Sequence, residues 1–411
     1  MNTKTYKVDS VFAWIVAFTS LALATIGSGI FYLVGIAIVP QAAALGITVK
    51  SASLPYGAAM LGMGLGGIFM GWFSDMKGPF GPTLLGSLAI ASGSYLISTT
   101  DDFPTIVIIY GVLLGALGNA ALVAPLLSNT MLWFNARRGV ASAVVGAGNA
   151  LGGAIWPPIL YSWVTSYGFS SSYRIFALVA LFTMPPLCVI LRAKKPSQTA
   201  QEPSPERGEG KEKKLVFSPP FFVGLLSVAV VGCCIAMSMP MVHLPNYVNT
   251  KGFNLEEGAI LLSVLMTSSV AARIIWGFIC DRLGGLKTLL MASSTQAIGL
   301  IGIATSDGMT TLYLAGIVFG VGFGGILPCY PVILREHLAT EGLGFRVGLI
   351  VLFGAIGMAL GPEIAGRMYA SLGSYHSGFA TGIAANSINL MIIATIMLFG
   401  IKEAKVASIR Q

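Results

Sequence analysis

Arg273 lies inside SVLMTSSVAARIIWGFI (263–279), a stretch that is otherwise apolar or weakly polar. A guanidinium keeps its charge at physiological pH and binds a carboxylate through two parallel N–H···O bonds. In hydrocarbon such a cation persists only where it faces a protein interior or a water-filled cavity and meets a counter-charge. No Asp or Glu lies between Leu261 and Cys280. The counter-charge must come from another segment or from a bound anion. The chemistry implied is capture of a carboxylate, with Arg273 as its anchor.

A small carboxylate also needs one or two neutral donors and an apolar wall. At roughly 1.5 Å per helical residue, Asn149, Tyr330 and Phe353 come to a depth similar to that of Arg273. Asn119 falls near the middle of its own apolar stretch, and Tyr32 in the outer half of the first. These five residues with Arg273 form the expected substrate-binding set. His243 is the candidate for proton coupling, because imidazole is the side chain whose charge can change near neutral pH. Each has a structural alternative. Asn side chains often join helices, Tyr32 can anchor at an interface, Phe353 can be core, and Tyr330 lies between Pro328 and Pro331, where a helix can break. Glu363 and Arg367 are four apart and suit a helical ion pair. The cysteines, Cys188, Cys233, Cys234, Cys280 and Cys329, show no metal-ligand spacing. No nucleophile–base cluster marks an enzyme, and no cofactor or metal is expected.

The elements that must hold these residues are membrane spans. The chain is 55% hydrophobic and 10% charged, with mean hydropathy +0.81 and 51 glycines in 411 residues. A soluble domain is closer to a quarter charged. Twelve apolar runs occur, at 11–39, 52–74, 82–99, 104–133, 139–166, 173–193, 219–245, 256–280, 286–305, 309–334, 346–370 and 377–401. Each approaches the roughly 20 residues a spanning helix needs, and the first exceeds the roughly 7–15 residues of a signal-peptide core. AKKPSQTAQEPSPERGEGKEKK (193–214) has the composition of a disordered linker. The expectation is an all-α membrane protein of twelve transmembrane helices in two six-helix bundles, 1–192 and 217–411, joined by a linker over 193–216.

Orientation follows from Lys and Arg. With both termini in the cytoplasm, 19 of these residues fall inside and 4 outside, which satisfies the positive-inside rule. The expected location is the plasma (cell inner) membrane. The net charge of +8 then reflects topology and contact with anionic membrane lipid. Scattered over short loops, the basic residues do not suit nucleic acid. The expected functional unit is a monomer.

An internal repeat links the halves. GWFSDMKG (71–78) and GFICDRLG (277–284) share Gly71/Gly277, Asp75/Asp281 and Gly78/Gly284, 206 residues apart. The glycines permit close helix approach, and each Asp can cap a helix N-terminus. This loop resembles the signature of the major facilitator superfamily, and the resemblance implies that fold, with two bundles alternating access to a central site. DSVFAW (9–14), containing Asp9, is similar to the first signature of monocarboxylate transporters. WFNARRGVASAVVGAGNALGG (133–153), containing Arg137 and Arg138, is similar to the second. Arg273 stands where that family carries its substrate arginine. Two departures matter: the first span has no Lys, and Ser269 stands where animal members carry an Asp. The resemblance implies secondary transport of a short monocarboxylate such as L-lactate or pyruvate, with a proton whose carrier is not located. Oxalate/formate exchangers share much of the pattern, so anion exchange is the alternative.

Overall fold

The computed structural model of the chain describes residues 6–47, 54–193 and 211–405, nearly all of them helical. In chain order the helices are α1 (Val11–Leu45), α2 (Leu54–Lys77), α3 (Phe80–Ile97), α4 (Phe103–Ile109), α5 (Ala124–Trp133), α6 (Arg138–Gly146) and α7 (Gly148–Ile190). They continue as α8 (Pro219–Thr250), α9 (Leu255–Leu283), α10 (Gly285–Thr305), α11 (Met309–His337), α12 (Leu343–Leu372) and α13 (Tyr375–Phe399). A π-helix, Tyr110–Asn119, follows α4 within the fourth apolar run.

Local chemistry sets the ends. Ser10 caps α1 by accepting from the Ala13 N–H at 3.3 Å, and Gly46 closes it in the left-handed region at φ 63°. Asp102 caps α4 by accepting from the Thr105 N–H at 3.0 Å. This bond and one from the Thr105 hydroxyl hold the exposed Asp102 carboxyl below the usual carboxylate range, the hydroxyl contributing most. Asn254 and Glu257 form a reciprocal capping box on α9.

Among the described residues, eleven helical runs are long and apolar enough to cross a bilayer. One of them, Arg138–Ile190, is 53 residues long, more than twice the roughly 20 a crossing needs. Its helical path breaks at Gly168, with φ 77° and ψ 169°, a conformation that favours glycine. It therefore crosses twice, and the spans number the twelve expected.

Of the expected linker, residues 194–210 lie outside the described residues. Lys211–Leu215 form β1, which pairs antiparallel with β2, Ile401–Lys405, Leu215 lying opposite Ile401. Once the chain leaves a helix its backbone groups need new partners, and the ladder supplies them.

The helices gather into two compact units. The first comprises Met1–Phe134, Ala141–Lys195 and Ala339–Ala355; the second comprises Asn135–Val140, Pro196–Leu338 and Ile356–Gln411. In the first, α1 packs on the start of α7 through Gly148 and Gly152. A Cβ at Gly148 would stand 2.5 Å from the Ala24 Cβ, and one at Gly152 would overlap the Ser28 hydroxyl. Small residues four apart let the backbones approach this closely. Trp156 crosses the same seam and donates to the Thr25 carbonyl at 2.8 Å. Behind it, Tyr110 and Tyr173 are fully buried with hydroxyls 2.5 Å apart. In the second unit, Gly316, Gly320 and Gly324 of α11 lie against Leu261, Leu265 and Ser269 of α9.

Candidate functional site

In the second unit Arg273 sits on a stretch of α9 that packs closely on α11. A Cβ at Gly324 would overlap the Ser269 carbonyl and stand 3.4 Å from the Arg273 backbone N. Three residues on, the Trp276 ring fills the space that Gly325 leaves, and its Nε1 donates to the Val321 carbonyl at 2.7 Å. These contacts fix the rotation of α9 about its axis, and so the root of the Arg273 side chain. The residue is half-buried and its Nε is shut off from solvent.

Tyr330 is buried, and its hydroxyl lies 3.7 Å from the Cys233 thiol on α8. Pro328 and Pro331 flank it without ending α11, which runs unbroken through both. His243 is half-buried on α8, with Nε2 2.9 Å from the Pro362 carbonyl. A carbonyl only accepts, so Nε2 carries the hydrogen, and Nδ1 is buried with no partner. Glu363 and Arg367 pair at 2.7 Å on the exposed face of α12. At a loop end, Lys251 pairs with Asp307 at 2.9 Å. The Lys251 hydrogen bond and charge hold the Asp307 carboxyl below its ordinary range.

A second cation is buried where the sequence reading put a loop. Arg335 belongs to the last turn of α11 and is 7% exposed. It lies eleven residues beyond Gly324, about 16 Å along the helix. Beside it, Glu336 accepts from the Gly285 N–H at 2.9 Å and so caps α10. Glu336 could not be read from the sequence as a cap, because it lies 51 residues from the helix start that it meets.

The first unit holds Tyr32, Asn119, Asn149 and Phe353. Two of these meet: the Tyr32 hydroxyl donates to the Asn149 carbonyl at 3.0 Å. Gly153 makes room, since a Cβ there would lie 2.6 Å from that hydroxyl. The Asn149 side chain remains exposed. Asn119 is buried and has a local task. It ends the π-helix, and its Nδ2 donates to the Leu114 carbonyl at 3.1 Å. Phe353 is half-buried on the part of α12 that packs with α2.

The two segments 9–14 and 133–153 meet at their starts. The Asp9 N–H donates to the Trp133 carbonyl at 3.0 Å. Phe12 lies 5.5 Å from the Trp133 ring, and Trp14 packs edge-on to Phe134 at 4.8 Å. Asp9 is in the left-handed region at φ 54°, unusual outside glycine. Arg137 is exposed, and the Arg138 guanidinium donates to the Asn135 side-chain carbonyl.

The repeated loops each grip a helix start. Asp75 accepts from the Gly344 and Phe345 N–H groups at 2.8 and 2.9 Å. Asp281 accepts from those of Gly139 and Val140 at 2.5 and 3.2 Å. In both, a carboxylate meets the positive end of a helix dipole. Gly71 stands directly against Gly344, and Gly277 against Gly139 and Val140. The expected capping role of the repeat is thus visible as geometry, and the capped residues lie far from it in the chain.

Helices of this number, a repeated loop that caps helix starts, and glycine seams converge with comparison to known proteins. Residues 14–362 match the family model described as Major Facilitator Superfamily. The chain belongs to the Major Facilitator Superfamily. It is an integral membrane transporter of that superfamily. The MFS-type transporter pynF of Aspergillus niger is 26% identical over 311 residues, 74% of this chain and 69% of that protein. The agnestins efflux protein AgnL12 of Paecilomyces divaricatus is 24% identical over 302 residues, 72% of this chain and 67% of that one. A crystal structure of the superfamily transporter FucP in the outward conformation superposes with a TM-score of 0.72 at 13% identity, covering 93% of this chain and 99% of that one. That likeness concerns fold. The narrower resemblance to monocarboxylate transporters is not carried by these relatives, whose names specify an MFS-type transporter and an efflux protein.

Proposed function

We propose that this transporter carries short organic monocarboxylates, of the size of lactate or pyruvate, with Arg273 as carboxylate anchor. The observation that carries the reading is a permanently charged side chain in mid-span on α9, rooted in a glycine-tight seam. A guanidinium held there presents paired N–H donors to a planar carboxylate. Asn149, Tyr330, Asn119, Tyr32 and Phe353 are the remaining members of the proposed set. Asn119 and Tyr330 act mainly by shaping the walls, given the local bond of Asn119 to Leu114 and the contact of Tyr330 with Cys233 on α8. We place the termini in the cytoplasm and the chain in the plasma membrane. The two bundles, 1–192 and 217–411, alternate access to the anion.

A proton accompanying the anion makes the step electroneutral. His243 is the proposed carrier because its buried Nδ1 has a free lone pair. Exchange of the oxalate/formate kind is the competing mechanism. A dianion needs a second cation at the site, and the Arg335 backbone is offset from the level of Gly324 by about 16 Å along the helix. The relationship to an efflux protein favours a second reading, export of a larger organic product.

Competition in proteoliposomes separates these readings. Mono- and diacids of one to five carbons are tested against labelled lactate. Short monoacids should compete with one another, and each methylene changes affinity by about 1 kcal/mol. Oxalate outcompeting lactate would favour exchange, and absence of any lactate uptake would favour export of another product. Uptake should rise with an inward proton gradient; uptake driven by membrane potential alone would count against proton coupling.

A further inference from the structure

The second unit contains a polar centre that the proposed transport site does not use. Ser293 and Gln296 lie one turn apart on α10, and Asn386 and Asn389 lie one turn apart on α13. All four are fully buried. The Asn386 Nδ2 donates to the Ser293 carbonyl at 3.0 Å, and the Asn389 Nδ2 donates to the Asn386 Oδ1 at 3.0 Å. These two bonds leave both ends of the Gln296 amide, the Asn389 Oδ1 and the Ser293 hydroxyl with no partner. Helix α11 closes on the centre at Gly322, which lies against the Gln296 backbone. Helix α8 closes on it at Gly232, where a Cβ would stand 3.5 Å from the Asn389 Cβ. A buried amide with neither end bonded is strongly unfavourable. In a bilayer there is no outer solvent toward which it can turn.

The other half of the molecule is an internal control. The offset of 206 that relates the two loops also carries Ser87 onto Ser293. Ser87 is fully partnered: its hydroxyl donates to the Thr83 carbonyl at 2.7 Å and lies 3.4 Å from the Cys188 thiol. The same place in the repeat is therefore self-sufficient in one half and short of partners in the other.

We propose that the Ser293–Gln296–Asn386–Asn389 centre is a binding site for ordered water, about one or two molecules. Water donates and accepts, and the orphaned groups are of both kinds: Gln296 Nε2 donates, Gln296 Oε1 and Asn389 Oδ1 accept, and the Ser293 hydroxyl does either. A cation fits poorly, because the Gln296 Nε2 hydrogens would repel it and the centre offers no carboxylate. The bound water links α10 to α13 and gives the two helices an exchangeable hydrogen-bond partner as they flex. The inference rests on burial and bonding alone and stands whether or not Arg273 binds a carboxylate.

The test is radiolytic hydroxyl-radical footprinting of the full chain in nanodiscs, which oxidises side chains beside bound water. Met239 is the reporter. It is fully buried, and its sulfur lies 2.7 Å from a Cβ position at Gly382, one turn from Asn386. Met131, fully buried in the first unit, is the reference. The expected result is oxidation of Met239 well above Met131, lost to the Met131 level in the Gln296→Leu/Asn389→Leu double variant. Met239 labelled no more than Met131 in the wild type would overturn the proposal, and that comparison needs no variant to fold. A rise in melting temperature for Gln296→Leu would also overturn it, because a dry centre is relieved by an apolar side chain. Labelling that changes when choline replaces sodium would show an ion site in place of water.

Discussion

Asp75 and Asp281 stand 206 residues apart, and each gives its carboxylate to the first backbone N–H groups of a helix distant in sequence. The device is the same and the setting differs. Asp75 is exposed, and its loop is closed by direct backbone contact of Gly71 with Gly344. Asp281 is half-buried against the Gly139 and Val140 N–H groups that it caps. The repeat has kept what the backbone requires, two glycines and an acid. What surrounds them has diverged. Both copies set glycine against backbone, more tightly at Gly71, and the second carboxylate lies in the less screened place.

That contrast can be broken by substitution. The largest effect is expected at Gly71→Ala, where a methyl group would overlap the Gly344 carbonyl; overpacking of this kind destabilises by about 1–3 kcal/mol. Gly277→Ala should lower the melting temperature less, since its nearest neighbour would be 2.9 Å away, farther than the nearest one at Gly71. Equal shifts would remove the distinction. Next come Asp75→Asn and Asp281→Asn, which weaken a charged helix cap worth about 0.5–2 kcal/mol. The loss should be greater at Asp281 and less sensitive to salt, because partial burial reduces screening. A larger, salt-sensitive loss at Asp75 would reverse the assignment.

The smallest effect belongs to a pair outside both loops. Lys251 lowers the Asp307 pKa in the folded protein. A depressed carboxylate contributes stability above its unfolded pKa of about 3.9 and loses it as pH falls through the folded value. Asp307→Asn should therefore lower stability slightly at neutral pH and make no difference once the medium is acidic enough to protonate Asp307. A stability difference that persists there would point to packing instead of charge.

Much of the fold was legible because hydrophobic length is a physical requirement of the bilayer. The twelve spans, the glycine seams and the capping role of the repeated Asp follow from it and from helix geometry. The π-helix was not legible, since YGVLLGALGN reads as an ordinary apolar helix. Nor was the β1–β2 ribbon, whose charged strand Lys211–Leu215 pairs with a partner at the far end of the chain. At the candidate site, Arg273 stood out because charge in hydrocarbon is rare. Asn119 did not reveal its local bond to Leu114, because helical periodicity says nothing about a π-turn carbonyl in need of a donor. Arg335 was assigned to a loop because charge at the end of an apolar run usually marks the membrane edge.

The central claim is that Arg273 holds the carboxylate, and labelled-lactate counterflow with the purified chain in liposomes tests it directly. The account predicts counterflow in the wild type, none with Arg273→Ala and nearly none with Arg273→Lys, whose point charge lacks the fork. Both variants should retain wild-type melting and monodispersity, which separates loss of binding from loss of fold. Lactate counterflow near the wild-type rate with Arg273→Ala would contradict it.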